Sequence, residues 1–153
     1  MNFAHIHLTL SHLPVVLIPV ACILLGLGTS KNNVTLRLTA YWILAIGACF
    51  SIIVFLTGEP TEKLLEQVIS SAENRIKSHE EAAEMAFIAT LVTGSLALFA
   101  LFFRKKLSFE KNIGLIVLIA SLLSAFLLFF TANLGGQIRH TEISDFNLPI
   151  RRT

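Results

Sequence analysis

Charge is what this chain has least of. Of its 153 residues only 14% are charged, against 54% hydrophobic. A soluble domain carries about 25% charge, so the composition argues against a water-soluble fold. Lys and Arg number 12 and Asp and Glu 10, a formal net charge of +2 with no basic stripe, which excludes a nucleic-acid binder. Cysteine is scarce as well. Cys22 and Cys49 both sit in apolar runs, without the spacing of a zinc site or a disulfide framework, and no CxxCH occurs, which excludes covalent c-type haem. The chain also lacks a nucleophile with a paired base, a phosphate loop, and any ionisable residue near the middle of an apolar run. A classical enzyme or an ion path is therefore not expected.

What the chain has instead is uncharged length. Residues 3–28, 38–58, 85–103 and 113–134 contain no Asp, Glu, Lys or Arg. A spanning helix needs roughly 20 mainly apolar residues, because in lipid every backbone group must be bonded within its own segment. Drawing on the turn before Met85, the third run extends to 79–103, and all four then qualify. The first has no basic leader and no small-residue cleavage site, so it is expected to be a span and not a signal peptide. Pro14 and Pro19 within it each remove a backbone donor and predict a bend. The reading is all-α: one domain over 1–153, an integral membrane four-helix up-down bundle, with a polar tail at 137–153.

Between the second and third runs the pattern changes. Leu64, Leu65, Val68, Ile69, Ala72 and Ile76 recur at helical spacing, with charges between them. With Pro60 in a first-turn position, this predicts an extra amphipathic helix over 60–77 lying on the membrane surface. Ser78 and Glu81 form a capping-box pattern that would open the third span. Gly135 and Gly136 would end the fourth.

Alternating spans put the loops 29–37 and 104–112 on one side, and both termini with the 59–78 segment on the other. Each side holds six basic residues: Lys31, Arg37, Arg104, Lys105, Lys106 and Lys111 against Lys63, Arg75, Lys77, Arg139, Arg151 and Arg152. The first set crowds closest to the span ends. The positive-inside rule then places those loops in the cytoplasm and both termini in the periplasm, in a bacterial inner membrane.

All five histidines fall on the second side. His5, His7 and His12 enter the first span, His79 opens the third, and His140 follows the fourth. Three separate helices thus bring imidazole to about one depth, with His12 expected deepest. Buried neutral imidazoles on facing helices, an apolar slot and basic groups at the membrane edge are what haem b requires. His7, His12, His79 and His140 are the candidate ligands, for one haem or two. Arg75, Lys77 and Arg139 are candidates for the propionates. Phe3, Phe55, Phe87, Phe126, Phe129 and Phe130 are candidate slot residues. The same histidines with Glu59, Glu80 or Glu84 would instead suit non-haem iron, copper or zinc.

The pattern of His7-x4-His12-Leu13-Pro14 before an apolar run, a mid-chain His79, and Gly135-Gly136-Gln137-Ile138-Arg139-His140 at the end resembles a largely uncharacterised family of small bacterial four-span membrane proteins. The resemblance covers roughly residues 5–143. By analogy with four-helix b-type cytochromes it implies haem binding, with His7, His12, His79 and His140 as the shared set and Gly135 and Gly136 as packing positions. Leu8 and Thr141 depart from the proline and glycine common at those places. The expected function is electron transfer between a membrane donor such as quinol and a periplasmic partner. Alternatives are a non-haem metal protein and a structural accessory subunit of a respiratory or photosynthetic complex. In every case lipid is a partner.

Overall fold

A computed structural model describes residues 3–68, 73–103 and 110–139. They form four helices, α1 (Phe3–Ser30), α2 (Val34–Val68), α3 (Glu73–Phe103) and α4 (Glu110–Arg139). Each contains a stretch long and apolar enough to cross a membrane: Ile6–Ser30, Val34–Gly58, Arg75–Phe103 and Asn112–Gln137. Consecutive helices pack together and α4 closes against α1, so α1 and α3 stand diagonally across the bundle.

The side-chain distribution is that of a bundle solvated by lipid. The interior is rich in small residues, among them Ala21, Ala40, Ala48, Ala86, Ala97 and Ala100, around a few larger ones such as Ile18, Leu25 and Leu44. Many large side chains face outward: Phe102 is 74% exposed, Leu56 68% and Phe126 66%. Lipid tails are as apolar as leucine, so helices gain little by hiding bulk from them. They associate instead where small residues let backbones approach. Gly94 is the tightest case: a Cβ there would lie 2.4 Å from Ala48 Cβ on α2.

Buried hydroxyls tie the helices at mid-height. The Thr93 and Ser124 hydroxyls bond at 2.9 Å between α3 and α4, and Cys22 Sγ donates to Ser121 Oγ at 3.2 Å between α1 and α4. Side-chain hydrogen bonds within membranes contribute about 0.6 kcal/mol on average. A double-mutant cycle of Thr93→Val and Ser124→Ala, read by unfolding in detergent, is expected to give a coupling of about 0.5–1.5 kcal/mol. Simple additivity would show the bond to be energetically idle.

Several boundaries differ from those read in the sequence, always because a helix continues. No separate surface helix forms over 60–77. The α2 backbone stays helical through Gly58 and Pro60 to Val68, and α3 begins at Glu73. The amphipathic stretch therefore supplies extensions of two spans; residues 69–72 lie outside the described set. A single glycine costs a helix only about 1 kcal/mol, and packing at Gly58, which is buried, outweighs that. Ser78 is likewise not a cap, since α3 starts five residues earlier. At the other end α4 runs through Gly135 and Gly136 to Arg139. Helix α2 starts at Val34, four residues before the expected 38, because Asn33 Oδ1 caps it by accepting from Leu36 N at 3.1 Å. Before it, Asn32 takes a left-handed conformation (φ 50°) that ends α1. Helix α1 passes through both Pro14 and Pro19 without interruption.

Arg37, read from the sequence as a loop charge, is a buried residue in α2, 4% exposed. Gly28 makes room for it: a Cβ at that position would lie 2.8 Å from Arg37 N and 2.9 Å from its Cγ.

Candidate functional site

The site lies at the end of the bundle where α1 and α3 begin and the spans of α2 and α4 finish. His7 is near the start of α1, half-buried, and its Nδ1 lies 3.0 Å from the carbonyl oxygen of Val54 on α2. Its ring packs on Gly58, where a Cβ would sit 3.4 Å from the imidazole Cε1. The Thr57 hydroxyl is 3.5 Å from the same Nδ1. His79 repeats this arrangement in the other half. Its Nδ1 lies 3.1 Å from the carbonyl oxygen of Thr131 on α4, and its ring lies over Gly135, where a Cβ would come within 3.0 Å of Cε1.

These contacts fix the chemistry of both rings. A carbonyl oxygen only accepts, so each Nδ1 must carry the proton and donate. In a neutral imidazole that leaves the Nε2 lone pair free, the form in which histidine ligates a metal through Nε2. Two tautomerically fixed imidazoles, on diagonal helices at one depth, thus present acceptor nitrogens at the same end of the bundle.

The remaining candidates are placed as follows. His12 stands apart: it is exposed, and its Nδ1 bonds the Leu8 carbonyl of its own helix at 2.8 Å. It was expected to be the deepest ligand, but its position on α1 turns it out of the bundle. Arg75 lies one turn outward from His79 on the same face of α3 and donates to the Gln137 carbonyl at 3.3 Å, holding α3 to the end of α4. Lys77, Glu80 and Glu84 are exposed. Among the described residues no three of His, Cys, Asp and Glu gather where they could hold a metal ion. His140 lies outside the described residues, as do the side chains of His5, Glu59 and Arg139. Of the expected slot residues, Phe55 and Phe87 stack between α2 and α3 with centroids 4.2 Å apart. Phe126, Phe129 and Phe130 face outward at 66, 56 and 47% exposure. The side chain of Phe3 is outside the described set.

Sequence reasoning missed the partners that orient the rings: the carbonyls of Val54 and Thr131, and Gly58 as a seat for His7. Backbone carbonyls carry no sequence signal. The four-residue interval from Val54 to Gly58 and from Thr131 to Gly135 was the available clue, since it places a glycine one turn beyond the accepting carbonyl.

Fold and site together define a four-helix membrane protein with a pair of oriented imidazoles at one end of its bundle. The chain belongs to the family described as Predicted membrane protein (DUF2231), whose model matches residues 4–142. No curated protein and no solved structure is significantly similar to it.

Proposed function

We propose that the protein is a membrane-embedded b-type cytochrome, in which His7 and His79 would hold haem near one membrane face. The observation that carries this reading is the pair of imidazoles whose Nδ1 groups are both engaged by main-chain carbonyls. A bare metal ion commonly takes three or four protein ligands. Two imidazoles would suffice for an iron already held by a porphyrin. The donor set fits that group, and the glycines beneath the rings let each imidazole lie close to its neighbouring helix. Arg75, a turn nearer the membrane edge than His79, suits a propionate. The shielded hydroxyl of Thr131, which has no partner among the described residues, adds a polar group beside His79.

Bound in this way, haem supplies reversible one-electron transfer without bond-making. The chain's residues would hold both imidazoles in one tautomer, keep the site apolar, and neutralise a propionate. The favoured role is a relay between a membrane donor such as a quinol and a partner at the face carrying the site. Basic residues close to the opposite span ends favour a bacterial inner membrane with that site on the periplasmic side.

Protein purified from its native membrane is expected to show a Soret band and a pyridine-haemochrome spectrum of haem b. Purified protein without porphyrin, after expression with haem supplied, would overturn the reading. Metal found without porphyrin would point to the non-haem alternative. Copurification with a larger complex, again without a cofactor, would point to an accessory subunit.

A further inference from the structure

The likeness of the two histidine sites extends through the whole bundle. A shift of 72 positions (79 minus 7) carries His7 onto His79. It also carries all six buried positions described in α1 onto buried positions of α3: Pro14 onto Ala86, Ile18 onto Thr90, Ala21 onto Thr93, Cys22 onto Gly94, Leu25 onto Ala97 and Gly28 onto Ala100. A shift of 77 (131 minus 54, and equally 135 minus 58) relates α2 to α4. Arg37, Ala40, Leu44, Gly47, Ala48 and Ser51 then fall on Gly114, Val117, Ser121, Ser124, Ala125 and Leu128, which are all the buried positions described in α4, while the buried Tyr41, Ala45, Thr57 and Gly58 fall on less buried ones. The contacts between hairpins obey the same mapping. Cys22 meets Ser121 across α1 and α4. Their counterparts Gly94 and Leu44 meet across α3 and α2, a Gly94 Cβ falling 3.5 Å from the Leu44 carbonyl oxygen.

The side chains at equivalent places are mostly different, so no repeat is visible in the letters of the sequence. The register is nevertheless conserved through four helices. Two helical hairpins, α1–α2 and α3–α4, are thus related by an approximate two-fold axis running along the bundle, and the diagonal position of α1 and α3 is what such an axis requires. His7 and His79 are equivalent under it. His12 falls on Glu84, and both are exposed, so His12 gains no partner for a second site.

We infer that His7 and His79 are equivalent ligands of one planar group centred on this axis, one per chain, held through both Nε2 atoms. This rests on the haem reading and narrows it from one or two haems to one. Titration of the purified, haem-free protein with ferric protoporphyrin is expected to saturate at one equivalent with a six-coordinate, low-spin spectrum. His7→Ala and His79→Ala should each give the same five-coordinate spectrum and weaken binding to a similar extent, about tenfold or more. An endpoint at two equivalents would overturn the inference while leaving the haem reading standing. So would one of the two variants keeping the wild-type spectrum. Nitrogen-15 spectra of the imidazoles test the equivalence without haem. Both rings should be Nδ1-protonated, as their carbonyl partners require; opposite tautomers at His7 and His79 would overturn the equivalence even if no haem were bound.

Discussion

Gly94→Leu is expected to abolish assembly of the bundle. Even a single Cβ at this position would fall 2.4 Å from Ala48 Cβ, and that neighbour is not the movable end of a long chain but the first atom of a side chain fixed to the α2 backbone. Relief requires α2 and α3 to separate. Separation would also open the Phe55–Phe87 stack, whose rings are 4.2 Å apart. Overpacking in a tight core costs about 1–3 kcal/mol for added methylenes, and four heavy atoms at a helix crossing exceed that range. Gly26→Leu is the matched control, since nothing lies within 4 Å of a Cβ there. The check is monodisperse recovery and thermal unfolding in mild detergent. The Gly94 variant should aggregate or melt far below wild type, and the Gly26 variant should match it. Normal melting of Gly94→Leu would contradict the packing described.

The second large effect separates two adjacent glycines. Gly135 and Gly136 look interchangeable in the sequence, where they read as a helix stop. In the structure only Gly135 faces the site, with a Cβ position 3.0 Å from His79 Cε1; Gly136 has open space. Gly135→Leu should push the imidazole away from the Thr131 carbonyl, so that the ring loses the bond that fixes its tautomer. Loss of such an orienting partner typically lowers metal affinity by about 10–100-fold. Gly135→Leu is accordingly expected to lose haem by at least about tenfold at near-wild-type helicity, and Gly136→Leu to retain it. Haem per protein, with circular dichroism on the same samples, reads both. Equal loss in the two variants would mean that the glycines serve the helix and not the ring.

The outlines of the fold were legible because lipid makes one strong demand, an uncharged helix of sufficient length, and four runs meet it. Helix ends were not legible. Gly58, Ser78 and Gly135-Gly136 all carry the local signals of termini, yet each lies inside a helix whose packing overrides them. Arg37 looked like a loop charge because nothing local indicates that Gly28 leaves room for it. At the candidate site, histidine count and depth were readable, but the direction of each ring was not. His12 follows His5 by seven residues and shares its helix face, which made it look like a ligand; His7, on another face, is the one that meets α2. Direction depends on which face of α1 its neighbours cover. The two-fold relation was hidden for the same reason, since it is carried by burial register and not by residue identity.

The most direct test of the central claim is electron paramagnetic resonance of the oxidised, haem-loaded protein. Two neutral imidazoles, one from each hairpin, predict a low-spin ferric signal that becomes high-spin on replacement of either His7 or His79 and is unaffected by His12→Ala. A high-spin signal in the wild-type protein, or a low-spin signal lost with His12 and indifferent to His79, would contradict it.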